Sequence, residues 1–209
     1  MTASIYRRFM TRRKLDRAFY LRDTLTVARE LIGCRIVHIV NGKRLEVIIT
    51  ETEAYCGVTD KACHTYGNRR TSRTETMYKP GGFAYVYLIY GMYNCLNAVT
   101  CEKDNPCAVL IRGGVPAGNI DALSDRRYGR AYSQLITYQK KHFADGPGKL
   151  CLALGIDRTL DGTDLTGDTL FIEQGDRPES IKCGRRINID YAEEAREYPW
   201  RFYTEVNTE

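Results

Sequence analysis

Hydrophobic and polar positions follow two different periods along the chain, and the change of period separates a helix from a hairpin. From Asp23 to Gly33 the apolar residues recur at helical spacing, behind an acid that can cap the first turn. Segments 35–40 and 45–55 are instead rich in β-branched residues and are joined by Asn41-Gly42, a strong signal of a two-residue turn. A helix followed by a β-hairpin is therefore predicted for residues 23–55.

The same patterns predict the remaining elements. Further strands are expected at 83–90, 94–100 and 107–112, and late strands at 168–173, 186–190 and 200–205. Helices are expected at 119–128, 131–142 and 147–154. The short connections between the central strands favour antiparallel pairing. The predicted fold class is α+β, a single domain with a curved, mostly antiparallel sheet and helices packed around it.

Length and composition limit the class of protein. The 209 residues suffice for one core, and 43% hydrophobic with 27% charged residues is typical of a globular protein. No apolar run approaches the roughly 20 residues that span a bilayer, so no membrane association is expected. We expect residues 1–14 to be a basic N-terminal extension, which can be flexible, and residues 15–209 to form the single domain.

Charge and cysteine usage indicate a polyanionic partner and a reducing compartment. The formal net charge is +5, which suits nucleic acid but does not by itself identify it. The eight cysteines lie mostly within apolar runs and are expected to be free thiols. No secretory signal is visible. A cytoplasmic, nucleoid-associated protein is expected, or a nuclear one if the source is eukaryotic.

One predicted strand carries two carboxylates. Alternation along residues 46–55 places five side chains on one face: Val47, Ile49, Glu51, Glu53 and Tyr55. A partly buried carboxylate is well suited to activate water, whereas two solvated acids at a strand end need no function at all. The strand thus offers a candidate catalytic acid or base without deciding for one.

Tyrosines are concentrated in residues 83–93. Four occur in nine positions, at 85, 87, 90 and 93, and each buried hydroxyl needs a hydrogen-bond partner. Tyr90 precedes Gly91, so a tight turn can push its ring outward, where it could wedge into a base stack. An aromatic-rich core strand is the alternative explanation.

A basic loop lies between Asp60 and Arg73. It contains His64 and three arginines, and it could bind phosphates or simply be solvated. Cys56, Cys63 and His64 lack the paired spacing of zinc ligands, so no metal is expected. Residues 146–149 resemble a phosphate loop only superficially, and no ATP or other cofactor is predicted.

Several ordered blocks make the sequence specific. They are Glu51-Thr52-Glu53-Ala54-Tyr55, then His64, Lys79-Pro80-Gly81, the run from Tyr85 to Asn97, Arg112, Gly146 to Cys151 and Pro199 to Tyr203. In this order and spacing they resemble the alkyladenine (3-methyladenine, N-methylpurine) DNA glycosylase family, over about residues 15–203. Departures from the family's usual pattern occur at Ser72 and at residues 184–188.

The resemblance implies a monofunctional hydrolase that flips an alkylated or deaminated purine out of duplex DNA, as a monomer and without cofactor. It implies that Glu53 is the general base and that Arg112 supports the attacking water. The base-binding residues would be Tyr55, His64, Tyr87 and Asn97, with Tyr90 as the intercalating side chain. Arg69, Arg73 and Lys79 are expected to contact the DNA backbone.

Three alternatives remain open from the residues themselves. Glu51 and Glu53 lie roughly 6.5 to 7 Å apart along a strand, and paired acids also occur in glycoside hydrolases. The tyrosines could instead stack single-stranded bases in a binding module without catalysis. A bifunctional lyase would need a lysine nucleophile, and no lysine stands in a recognisable catalytic block.

Overall fold

One antiparallel sheet of eight strands is the framework of the protein in the computed structural model, which describes residues 12–205. The strands are β1 Arg35–Val40, β2 Lys43–Tyr55, β3 Ala84–Ile89, β4 Tyr93–Thr100, β5 Cys107–Gly118, β6 Leu170–Glu173, β7 Lys182–Gly184 and β8 Arg201–Tyr203. Their order is β3-β4-β5-β2-β1-β6, and β8 joins β2 to β7. Most of the extension predicted at residues 1–14 lies outside the described part of the chain.

Within residues 12–205, five α-helices accompany the sheet: α1 Arg17–Tyr20, α2 Thr24–Glu30, α3 Ile120–Tyr128, α4 Thr137–Lys141 and α5 Pro147–Leu154. Short 3₁₀ segments occupy much of the connecting chain, including residues 57–59, 66–68, 75–78 and 190–197. Helices α2, α3 and α5 contact the central strands. The predicted α+β class, with an antiparallel sheet and surrounding helices, is confirmed.

Local sequence signals account for the first elements. The carboxylate of Asp23 accepts a hydrogen bond from the N–H of Thr26 and so caps α2. Asn41 and Gly42 have φ values of 50° and 72°, the left-handed conformation that a two-residue hairpin turn requires. The predicted helix and hairpin are both confirmed.

The two faces of the central strands have different partners. Alternate residues of β3, β4 and β5 enter the main core, among them Val86, Leu96, Val109 and Ile111. The intervening residues, which include Tyr85, Tyr87, Cys95, Asn97 and Leu110, line a cavity on the other face. Because successive side chains of a strand point to opposite faces, β3, β4 and β5 contribute to the core with one face and to the cavity wall with the other.

A double irregularity between β2 and β5 corrects the predicted face of β2. Ile49 pairs with Gly114 and Glu51 with Gly113, so Thr50 has no partner, and the next pair, Thr52 with Ile111, leaves out Arg112. Val47 and Ile49 therefore belong to the core, and so does Ala54 after the irregularity. The prediction that Val47 and Ile49 share a face with Glu51, Glu53 and Tyr55 was wrong, because a bulge exchanges the two faces of a strand.

Two predicted elements were also wrong. The helix expected at 131–142 is split into a 3₁₀ turn and α4, because the side chains of Gln134 and Gln139 each accept a hydrogen bond from the backbone N–H three residues earlier. The strand expected at 186–190 is an irregular segment, because the guanidinium of Arg186 is buried in an ion pair with Asp60. In addition, β5 extends to Gly118, beyond the predicted end at residue 112.

Candidate active site

A cavity of about 720 Å³ opens on the face of the sheet opposite the main core. Its wall combines aromatic, apolar and charged side chains from β2 to β5, from the loop around His64 and from the segment around Ile187. Small-molecule sites in proteins have volumes of about 300 to 1,000 Å³ and are mostly apolar with a few polar groups. The cavity is therefore large enough for an extruded nucleobase together with its sugar.

The strand irregularity directs two charged residues toward this cavity. Arg112 is the unpaired residue of the β5 bulge, and its guanidinium points toward the carboxylates of β2. Glu53, four residues beyond Ile49, lines the cavity. A bulge re-aims side chains that a regular ladder would alternate, which explains why a cation and an acid from neighbouring strands meet at one point.

The carboxylate of Glu53 is fully buried and held from three sides. Oε1 accepts a hydrogen bond from the N–H of Ile187 at 2.8 Å, and Oε2 accepts one from the Tyr55 hydroxyl at 2.8 Å. The Nε of Arg112 lies 3.6 Å from Oε1. Each carboxylate oxygen can accept two hydrogen bonds, so each retains capacity to accept one more.

Burial dominates the titration of this acid. Desolvation raises the pKa of Glu53 above its ordinary value, and the opposing influences of Arg112, the Ile187 N–H and the Tyr55 hydroxyl do not cancel it. A carboxylate with a raised pKa is a stronger base than a solvated one. Within the cavity wall, Glu53 has the chemistry expected of a group that removes a proton from water.

Glu51 occupies a different environment, although it is only two residues away. Its Oε1 accepts hydrogen bonds from Arg112 and Arg201, at 3.0 and 2.9 Å, and its side chain is not part of the cavity wall. A two-carboxylate glycoside hydrolase would need both acids at the scissile bond. The geometry thus favours a site with one reacting carboxylate.

Aromatic rings form the walls beside Glu53. Tyr55, His64 and Tyr87 all line the cavity, and the His64 and Tyr87 ring centroids are 4.7 Å apart in an edge-to-face arrangement. Nδ1 of His64 lies 2.9 Å from the Tyr85 hydroxyl. Burial, assisted by the positive charge of Arg73, lowers the pKa of His64 to about 4. The histidine therefore presents a neutral ring at physiological pH.

Asn97 and Tyr90 lie at opposite depths of the cavity. Asn97 is only 3% exposed, and its Nδ2 donates to the backbone oxygen of Tyr85 at 3.1 Å. Tyr90 lies at the rim, 74% exposed, with a φ of 53°. A positive φ is rare for a bulky side chain and costs of order 1 to 3 kcal/mol, so the surrounding hairpin must hold it.

The three predicted backbone-contacting cations are placed differently from one another. Arg73 lines the cavity, with its guanidinium 5.3 Å from the Tyr87 ring centroid. Arg69 is exposed in the preceding loop, and no ion pair joins it to another residue of 12–205. Lys79 lies outside the cavity, 4.6 Å from the Phe83 ring centroid. The structure thus brings only Arg73 into contact with the cavity.

Sequence reasoning missed the segment that closes the site behind Tyr55. The Arg186 guanidinium is buried, pairs with both oxygens of Asp60 and lies 4.8 and 5.0 Å from the ring centroids of Tyr55 and Trp200. Ile187, the next residue, donates to Glu53. Positions 60 and 186 are 126 residues apart, so no local pattern could have indicated this pair.

Two further features of the described residues bear on function. Among residues 12–205 there is no group of three or more histidine, cysteine or acidic side chains arranged to hold a metal ion. Across the same range, none of the helices has the length and apolar character required to cross a bilayer.

The sequence also matches known proteins over most of its length. The pattern of the methylpurine-DNA glycosylase family matches residues 18–208. Three bacterial proteins named as 3-methyladenine DNA glycosylases are similar over nearly their full lengths. That of Clostridium novyi (strain NT) is 50% identical over 91% of this chain and 94% of its own. Those of Desulfitobacterium hafniense (strain Y51) and Bacillus cereus (strain ATCC 14579) are 48% and 50% identical, over 92% and 90% of this chain and 96% and 94% of theirs.

Proposed function

Because the chain belongs to the methylpurine-DNA glycosylase family, we propose that it excises 3-methyladenine, 7-methylguanine, hypoxanthine and ethenoadenine from duplex DNA, using Glu53 as the base. Family membership makes it a monofunctional DNA glycosylase, an enzyme of DNA repair that cleaves N-glycosyl bonds. The substrates within that class and the roles of individual residues are our proposal.

The observation that carries the proposal is the position of the Glu53 carboxylate in an aromatic cavity. In the proposed step, Glu53 accepts a proton from a bound water as the water oxygen attacks C1′ of the extruded nucleotide. The bond between C1′ and N9 breaks, its electron pair leaves with the purine, and an abasic sugar remains. Arg112 supports the water from the β5 side, where its Nε approaches Glu53.

The aromatic walls support base extrusion energetically. Extruding a base costs a few kcal/mol, and less when damage has weakened its pairing. Stacking on aromatic rings is worth roughly 1 to 3 kcal/mol per base, which Tyr55, His64 and Tyr87 would supply. Purines alkylated at N3 or N7 carry a positive charge, so electron-rich rings favour them further, and they are good leaving groups.

Two residues would govern selection and flipping. We assign Tyr90 the role of filling the gap in the duplex, which its exposure and its position at the rim support. Asn97 would crowd the exocyclic amino group of guanine, since it is buried in the wall with its amide already held by Tyr85. Arg69, Arg73 and Lys79 would contact DNA phosphates.

The proposed partner is double-stranded DNA containing a damaged purine, bound by a single copy of the protein. The net charge of +5 supports a polyanionic partner. The cellular site proposed is the cytoplasm, at the nucleoid, because the similar proteins are bacterial and the described cysteines are free thiols.

An excision panel tests the proposal. Duplexes with a single hypoxanthine, ethenoadenine or 7-methylguanine are incubated with wild type and with Glu53→Gln, and abasic sites are cleaved with alkali. We expect strand breaks with wild type only, while lesion binding persists in the variant. If wild type produced no strand break on any of these lesions, the result would contradict the proposal. Borohydride trapping of a covalent protein–DNA adduct would indicate a lyase instead.

A further inference from the structure

Glu51, two residues before the proposed catalytic base, makes contacts that a solvated acid would not need. Oε1 of Glu51 accepts hydrogen bonds from Arg112 and Arg201, at 3.0 and 2.9 Å. We propose that Glu51 is a positioning residue that, together with Arg201, sets the basicity of Glu53 by holding Arg112 back from it. This inference rests on the proposed function of Glu53.

The distances define how Arg112 is shared between the two acids. Its Nε lies 3.0 Å from Glu51 but 3.6 Å from Glu53. Since Nε carries a single hydrogen, that hydrogen is committed to Glu51, and the attraction between Arg112 and Glu53 is Coulombic without a direct hydrogen bond. Moving this hydrogen to Glu53 would stabilise its ionised form and weaken it as a base.

The backbone fixes this arrangement from both sides of β2. The double bulge places Arg112 beside Glu51, and β8 pairs with the opposite edge, where Arg201 is aligned with Glu53. The Nε of Arg201 donates to the backbone oxygen of Arg185 at 2.9 Å, so its orientation is defined. The three charged side chains of this network, Glu51, Arg112 and Arg201, are each less than a quarter exposed, which limits screening by water.

Charged and titratable groups surround Glu53 on every neighbouring element. They are Arg112 on β5, Glu51 and Tyr55 on β2, Tyr87 on β3, Cys95 on β4, Arg201 on β8, and Arg186 with Asp60 behind Tyr55. Of these, Arg112 is the largest influence that lowers the pKa of Glu53, and Glu51 raises it. Glu51 therefore acts twice, directly as a like charge and indirectly through Arg112.

Substitutions of Glu51 and Arg201 are expected to change the pKa of Glu53 in opposite directions. In Glu51→Gln the like charge is lost and Arg112 can move to Glu53, so the pKa of Glu53 falls. In Arg201→Gln the charge of Glu51 is less compensated, so the pKa of Glu53 rises. An acid in the base role loses activity when it is protonated. The acid limb of the rate profile therefore moves to lower pH in the first variant and to higher pH in the second.

The test measures single-turnover excision of hypoxanthine from duplex DNA between pH 4.5 and 9, with enzyme in excess. We expect the acid limb to move by about one pH unit in each direction, and the plateau rate of Glu51→Gln to fall about three- to tenfold. The double variant should keep the shift of Glu51→Gln, because Arg201 acts on Glu53 through the charge of Glu51 and Arg112 stays released. Lower rates with an unmoved limb would overturn the inference, because a purely structural role predicts that result.

Glu46 provides a matched control on the same strand. It is a carboxylate that also contacts two arginines, Arg35 at 3.5 Å and Arg44 at 2.7 Å, but it does not line the cavity. Glu46→Gln should leave the acid limb where it is. A limb that moves equally in this variant would show that any charge change has the effect, and would remove the special role of Glu51.

A second measurement separates this inference from the proposed function. Carbon-13 NMR titration of the labelled Glu53 carboxyl reports its pKa without any turnover. If the wild type excises nothing, the proposed function fails, but the opposite pKa shifts in Glu51→Gln and Arg201→Gln are still expected. If the wild type is active and Glu53→Gln is not, yet the carboxyl titrates identically in all variants, only the inference about Glu51 fails.

Discussion

The cavity floor and the hairpin tip between β3 and β4 are built in opposite ways. On the floor, Glu53 is completely buried, and both of its oxygens accept hydrogen bonds from fixed donors. At the tip, Tyr90 and Met92 are largely exposed, and Tyr90 has a left-handed backbone. The floor is buried and hydrogen-bonded, whereas the tip is exposed to solvent.

This difference matches the two tasks of the proposed reaction. A reacting carboxylate must be held within a fraction of an ångström and kept away from bulk water, which paired strands and burial achieve. A wedge must reach a separate molecule before the base has moved, which only an exposed group can do. Substitutions in the two regions should therefore affect different steps, chemistry on the floor and extrusion at the tip.

The largest effect is expected on the floor. Glu53→Gln should lower the single-turnover rate by about 10³-fold, because general-base catalysis contributes on the order of 10²- to 10⁴-fold. Lesion binding, measured by fluorescence anisotropy, should change little. A variant that retains a tenth of the wild-type rate would remove Glu53 from the base role.

The same variant should be more stable at neutral pH. The pKa of Glu53 is raised in the folded protein, so ionisation opposes folding, and this loss of stability grows as pH rises through the folded pKa. Glu53→Gln should therefore melt at a higher temperature than wild type at pH 7.5, and the difference should shrink toward pH 4. Equal melting temperatures at both pH values would contradict the raised pKa.

A smaller effect, on a different step, is expected at the tip. Tyr90→Ala should lower the excision rate about tenfold while duplex affinity changes less than threefold, because the wedge acts after the first encounter. Tyr138 is a comparable control, since it is 68% exposed and lies outside the cavity wall. Tyr138→Ala should excise at the wild-type rate. An unchanged rate in Tyr90→Ala would end its role as a wedge.

Substitution of His64 tests the aromatic wall that lies between the cavity floor and the hairpin tip. Because its pKa is lowered to about 4, it is neutral across the working range and no limb near pH 6.5 should come from its titration. His64→Ala should lower excision about fivefold by loss of stacking, equally at pH 6 and pH 8. A variant that changes the shape of the profile in this interval would show that the histidine is charged during the reaction.

The smallest effect concerns the loop that precedes Arg73. Log K for duplex DNA should fall with log salt by about 0.9 per neutralised phosphate, and Arg69→Gln should reduce this slope by about one. Arg70 is the neighbouring control, because its guanidinium is already paired with Glu75 and Asp104. Equal slopes in both variants, measured between 50 and about 300 mM salt, would remove the distinction between them.

Regular alternation made much of the fold predictable from sequence. Asn41-Gly42 determined the first hairpin, and the strands that carry Tyr85, Tyr87 and Asn97 were found at nearly their actual bounds. The ordered blocks that contain Glu53, Tyr55 and His64 indicated one site, and the cavity contains these residues.

What could not be predicted depends on contacts between distant positions. The bulge at Thr50 and Arg112 arises from the pairing of two strands, so alternation within either strand gives the wrong face. The segment after β7 is irregular because Arg186 binds Asp60, far earlier in the chain. Glu51 and Glu53 have equivalent positions in the strand alternation, and their burial, their place relative to the cavity and their hydrogen-bond partners distinguish them.

The most direct test of the account is a crystal structure of Glu53→Gln bound to a duplex with one hypoxanthine. The purine should be rotated out of the helix and stacked among Tyr55, His64 and Tyr87, with C1′ and a water molecule beside residue 53. Tyr90 should occupy the gap in the duplex. A hypoxanthine that is extruded but bound elsewhere on the protein, or a residue 53 more than one water molecule away from C1′, would contradict it.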